Sequence, residues 1–146
     1  MGLDMYLKAT KYTSKYTDKE LNKKLLKLSK IDTTNTESAE LVIQVGYWRK
    51  ANHIHKWFVD NVQEGADNCR NYDVSKEQLK DLLKLCKEIK EENSKAEELL
   101  PSQEGFFFGS YEYDEWYFDG INETIEIIER VLKIDEDWSF EYNSCW

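Results

Sequence analysis

Residues 3–9 alternate in character, with Leu3, Met5 and Leu7 on one side and Asp4, Tyr6 and Lys8 on the other. That is the period of a half-buried strand, predicted over Leu3–Ala9. The pattern then changes to a helical one. Thr17 and Glu20 have capping-box spacing, Tyr16 and Leu21 are placed for a hydrophobic staple, and Leu21, Leu25 and Leu28 mark an inward stripe, predicting a helix over Asp18–Ser29. The polar, aperiodic stretch Ile31–Ser38 reads as a connection, and the apolar, partly β-branched run Leu41–Tyr47 as a buried strand.

At 100° per residue, Trp48, Ala51, Ile54, His55, Phe58, Val59 and Val62 fall on one arc, predicting a second helix over Trp48–Val62. Arg49, Asn52, His53, Lys56 and Asp60 fall on its other side. Gly65–Asp73 is a loop by composition. Ser75 and Gln78 form a second capping box, with Val74 and Leu79 as its staple, and open a long helix with Leu79, Leu82, Leu83, Cys86 and Ile89 inward. Pro101 ends that helical region, and the aromatic run of residues 105–109 reads as a short strand between two glycines. A last helix is predicted from Asp114, as N-cap, to Lys133, and a last strand over Trp138–Trp146. Strands and helices in this order lack regular βαβ alternation, so the expected fold is α+β: one domain over 1–146, with a small, mostly antiparallel sheet of about four strands packed with about four helices.

Composition narrows the functional classes. The chain has 146 residues, 14% of them aromatic, and no apolar run approaches the ~20 residues of a membrane-spanning helix. Met1–Met5 lacks the basic and apolar regions of a secretory signal, so a cytoplasmic location with no membrane partner is expected. Cys69, Cys86 and Cys145 are odd in number and widely spaced, and read as plain thiols. Charge is asymmetric. Residues 1–73 hold 12 Lys/Arg against 10 Asp/Glu, whereas from Glu97 onward 14 acids face only Arg130 and Lys133. Such a field repels nucleic acid, so no direct nucleic-acid partner is expected.

The chemistry concentrates in two segments. Tyr47, Trp48, Arg49, Lys50, Asn52, His55, Lys56 and Trp57 combine aromatic faces, cations and an amide. Arg49 with Asn52, and His53 with Lys56, have helical spacing that lets them converge on one anion. His55 projects onto the apolar arc, as a hydrogen-bonded core imidazole or as the floor of a cleft. His53 and His55, two apart on a helix, cannot face one metal, so neither metal nor cofactor is expected. The second segment carries Phe107, Ser110, Glu112 and Asp114, and its glycines permit close backbone approach to a ligand. No phosphate-loop, dinucleotide-fold, zinc-protease or nucleophile-elbow motif is present, which lowers the expectation of an enzyme.

Met1-Gly2-Leu3-Asp4-Met5-Tyr6-Leu7, Tyr47-Trp48-Arg49-Lys50-Ala51-Asn52 with Ile54-His55 and Trp57-Phe58, and Leu99-Leu100-Pro101 leading to residues 105–110 and Tyr113-Asp114 together resemble a family of small bacteriophage and prophage proteins. The resemblance spans most of the chain. It implies a bacterial host cell and an accessory role, often antagonism of host immunity, and no particular reaction.

The expected function is a non-enzymatic phage accessory protein that binds an anionic, nucleotide-like ligand in an aromatic and basic cleft. Two alternatives stand beside it. One is an acidic inhibitor docking on the nucleic-acid-binding surface of a host defence protein; the other is a small hydrolase using His55 and Glu112 as acid and base. Exposed aromatics would serve a homodimer interface equally well.

Overall fold

The computed structural model describes residues 2–146. The fold is α+β. In chain order it has β1 (Asp4–Ser14), α1 (Lys19–Ser29), β2 (Ser38–Arg49), α2 (Asn52–Asn61), β3 (Tyr72–Asp73) and α3 (Lys76–Glu91). A 3-10 turn and the short α4 (Ala96–Leu99) follow, then α5 (Glu115–Val131) and β4 (Ser139–Cys145). The four strands form one sheet in the order β2-β1-β4-β3, antiparallel at every pairing.

The alternation in β1 sets the layers. Met5, Leu7 and Ala9 are buried, and their neighbours across the sheet are Trp48 on β2 and Ser144, Tyr142 and Phe140 on β4. Against this face pack Ile54 and Phe58 of α2, Leu79, Leu82 and Ile89 of α3, and Ile121, Ile125 and Ile128 of α5. Phe58 stacks on Tyr142, with centroids 3.8 Å apart and planes 6° from parallel. The Trp48 indole N–H donates to Thr124 Oγ1 at 2.9 Å, tying strand to helix through a buried polar bond.

Local signals held where the cap is a local structure. Ser75 and Gln78 make the full capping box of α3, with Val74 and Leu79 both buried beside it, and Asp114 accepts from the Tyr117 N–H to start α5. The cap predicted for α1 did not form. Asp18 occupies the N-cap in a left-handed conformation without a side-chain bond, and Tyr16 stands in solvent rather than stapling Leu21. Ser14 Oγ accepts the N–H groups of Tyr16 and Thr17 instead, and the buried Asn22, bonded to Thr13 Oγ1 and the Glu37 carbonyl, fixes the helix. Leu28, predicted inward, is exposed.

Three further predictions are corrected. Leu41–Tyr47 is not a buried strand. It is the middle of the edge strand β2, where Val42 and Tyr47 are exposed beside Thr10 and Tyr6 on the sheet face away from the core, and Ile43 is exposed as well. Trp48 and Arg49 are not helical: they pair with Met5 and Asp4, and Lys50, at φ 55°, turns the chain into α2. Residues 105–108 form a turn closed by a Phe108 N–H bond to the Gly105 carbonyl, not a strand. Phe106 is 94% exposed and Phe108 5%, so the run is split by the turn rather than alternating across a sheet. The predicted loop 65–73 ends in the two-residue strand β3. Among the described residues no helix is long and apolar enough to cross a membrane.

Candidate functional site

Where β2 ends and α2 begins, the chain leaves a cavity of about 570 Å³ between β2, the loop of residues 109–114 and the first turns of α5. Each wall has a local cause. Tyr47 and Arg49 come from the last residues of β2, on the face away from the core. Tyr47 donates its hydroxyl to Asp4, and that carboxylate bond raises the phenol's pKa. Arg49 forms a long ion pair with the same carboxylate at 3.9 Å, beyond hydrogen-bond distance, and stays largely exposed. Lys50 forms no ion pair among the described residues, and its stem passes Gly109, where a Cβ would come within 3.1 Å of Lys50 Cβ. Gly109 itself is at φ 89°, a conformation that glycine adopts at little cost.

The loop wall is fastened by Asn52. Its amide donates to the carbonyls of Phe108 at 3.1 Å and Ser110 at 2.8 Å, and its Oδ1 accepts from the Gln103 N–H at 3.0 Å. Asn52 lines the cavity, but both its amide protons and one of its two oxygen lone pairs are taken by the loop, so its role is positioning. Ser110 Oγ accepts from the Glu112 N–H, and Asp114 caps α5.

The helix wall repeats at i, i+3, i+4 and i+7: Trp116, Asp119, Gly120 and Glu123. Trp116 is 79% exposed at the rim. Glu123 has a raised pKa, caused first by burial and then by repulsion from Glu126 and Asp119. At the floor, the His53 ring packs on Tyr117 with centroids 4.0 Å apart and planes tilted by 32°. Tyr117 is held in turn by donating to the Leu100 carbonyl at 2.8 Å. His53 is only 4% exposed, and its Nε2 is buried with no hydrogen-bond partner among the described residues. Burial lowers its pKa to about 3, so the imidazole is neutral at physiological pH.

Of the residues expected from sequence, the cavity gathers Tyr47, Arg49, Lys50, Asn52, Ser110, Glu112 and Asp114. It does not gather Trp48, His55, Lys56, Trp57 or Phe107. Trp48 and Trp57 are core residues, so neither offers a free stacking face. Lys56 pairs with Asp60 at 2.8 Å, four residues along α2. Phe107 is partly buried beside the core, and its carbonyl accepts from the Leu3 N–H. His55 is a core imidazole. Its Nδ1 bonds the Tyr142 hydroxyl at 2.8 Å and its Nε2 bonds Asp67 at 3.0 Å. With both ring nitrogens engaged there, the acid–base pair of His55 with Glu112 is not assembled.

Sequence reasoning missed Trp116, Asp119, Gly120 and Glu123, and it read His53 as an outward anion contact beside Lys56 rather than as a buried residue of the cavity. The α5 stripe was visible as helical spacing. The apolar arc drawn from Trp48 puts His53 on the outward side, whereas the real α2 is covered on both sides and buries Asn52, His53 and His55 alike.

Together these features define a small α+β protein with an organised, partly aromatic cavity that carries cations on its strand wall and carboxylates on its helix wall. Comparison with known families, curated proteins and solved structures finds no match for this chain.

Proposed function

We propose that the protein is a non-enzymatic phage accessory protein that holds an anionic, nucleotide-like ligand in this cavity, in the cytoplasm of a bacterial host, and so withholds it from host immunity. The observation that carries the reading is the combination on one cavity of two cations, Arg49, held only by a long 3.9 Å contact to Asp4, and Lys50, with a buried His53 Nε2 that has no partner among the described residues. A buried polar atom left unpaired costs about 1–3 kcal/mol, a penalty that a bound ligand able to hydrogen-bond it removes. The volume suits a mononucleotide, since small-molecule sites run roughly 300–1,000 Å³. Exposed Trp116 at the rim and Tyr47 on the wall supply faces for a planar ring, and stacking of a base is worth roughly 1–3 kcal/mol.

Isothermal titration with mono-, di- and cyclic nucleotides tests the reading. Binding that weakens at least tenfold in Arg49→Ala or Lys50→Ala supports it; absence of heat at millimolar ligand, with the protein folded, overturns it.

A further inference from the structure

The two walls of the cavity differ in what they can bond. Arg49 and Lys50 on the strand side are donors only. Asp119 and Glu123 on the helix side are, when ionised, acceptors only, and Gly120 sits between them. That glycine is what brings the imidazole to the same wall: a Cβ there would lie 3.2 Å from His53 Nε2 and 3.1 Å from Cε1. The helix wall therefore offers carboxylate acceptors flanking an uncharged ring nitrogen that has no partner among the described residues.

A ligand lying across the cavity with its phosphate at Arg49 and Lys50 must turn a donor-rich edge toward α5. The bases differ sharply in this respect. Guanine carries two adjacent donors, the ring N1–H and the 2-amino group, a spacing that matches the two oxygens of one carboxylate as a bidentate pair. Adenine and cytosine set a single amino donor beside an acceptor nitrogen, which a carboxylate repels. Uracil and thymine set carbonyl oxygens on both sides of their one N–H.

Resting on the nucleotide reading above, we infer that the cavity selects guanine nucleotides, with the Asp119–Glu123 wall accepting from N1–H and the 2-amino group and His53 Nε2 taking the adjoining polar position of the base. The same wall rejects bases that present oxygen, because a carboxylate facing a carbonyl is left without a hydrogen bond and desolvated. Trp116, one turn before Asp119, is placed on the stripe to cover a ring seated there.

The test is titration of the intact protein with GMP, IMP, AMP and UMP under one buffer condition, repeated with Glu123→Gln and Asp119→Asn. IMP isolates the 2-amino group, because it keeps N1–H and the 6-oxygen. GMP should bind at least tenfold more tightly than IMP and at least about a hundredfold more tightly than UMP, well within the discrimination open to sites that hydrogen-bond a required group. At least one of the two variants should bring the GMP-to-IMP ratio close to one while leaving the thermal midpoint unchanged. Equal binding of all four nucleotides overturns the selectivity and leaves the nucleotide reading standing. A GMP preference unaltered in both variants overturns the assignment to this wall. No binding of any of the four overturns both.

Discussion

The His53 ring occupies the space that a side chain on residue 120 would need, with its Nε2 3.2 Å from the position of a Cβ built there. Gly120→Ala therefore sets two effects against each other. Alanine gains about 1 kcal/mol of helix propensity, and overpacking a filled site costs roughly 1–3 kcal/mol. The ring cannot retreat easily, because it also packs on Tyr117, whose hydroxyl is itself hydrogen-bonded to the Leu100 carbonyl. The expected result is a net loss of about 1 kcal/mol, seen as a thermal midpoint about 2–4 °C lower. A raised midpoint would show that the ring has room to move.

Asn52→Ala removes three bonds that hold the loop of residues 103–110 on α2. Buried carbonyls left unpaired make this a loss of roughly 2–4 kcal/mol. The loop should open before the rest of the fold does. Hydrogen exchange should show protection lost at the Gln103 amide, and limited proteolysis should cut near residues 105–109; a variant with wild-type exchange there refutes the positioning role.

Acid should destabilise the fold through its buried histidines. Burial lowers the pKa of both His53 and His55, although Asp67 opposes the shift at His55. In the unfolded chain each takes up a proton near pH 6.5, so below that the unfolded state binds more protons than the folded one. Stability from His53 is thus fully present above about pH 7 and falls, by up to about 1.4 kcal/mol per pH unit, as pH drops toward the folded value. Urea unfolding between about pH 7 and about pH 5 should give a shallower pH slope for His53→Gln than for wild type. Parallel slopes would contradict a neutral, buried His53.

Arg49 and Lys56 separate cavity from surface. Both are exposed enough that Arg49→Ala and Lys56→Ala should leave stability within roughly ±0.5 kcal/mol. Arg49→Ala should weaken ligand binding at least tenfold, and Lys56→Ala, whose ammonium is engaged by Asp60, should not change it. Equal loss in both would move the anion site from the cavity to the face of α2.

His55→Ala should cost about 1–3 kcal/mol, because the Tyr142 hydroxyl and Asp67 both lose their partner. The ring also packs edge-on against Phe108, at 5.3 Å between centroids. A thermal melt reads the effect directly, and an unchanged midpoint would show that the pair is not part of the core.

Much of this architecture was legible in the chain because its causes are local. The alternation of β1, the capping box at Ser75, the N-cap at Asp114 and the apolar period of α3 and α5 each depend on residues a few positions apart. The errors fell where one segment satisfied two periods. From Trp48 onward the apolar residues fit a helix, but Trp48 and Arg49 gain backbone partners on β1 that no local pattern reveals. Part of the site was readable as a cluster of residue types around Arg49 and Glu112, and part was lost with the misplaced start of α2.

The sequence by itself determined the fold class, the amphipathic faces of the two long helices and the split between a near-neutral first half and an acidic second half. These follow from side-chain period and charge, which are properties of neighbours along the chain. Only the tertiary structure decided which polar residues are buried. Asn52, His53 and His55 share one short helix, yet one staples a loop, one lines a cavity with a nitrogen that has no partner among the described residues, and one is locked between Tyr142 and Asp67. Their partners lie 12 to 87 residues away, and no period in α2 can encode what α5, β4 and the loops bring to its surface.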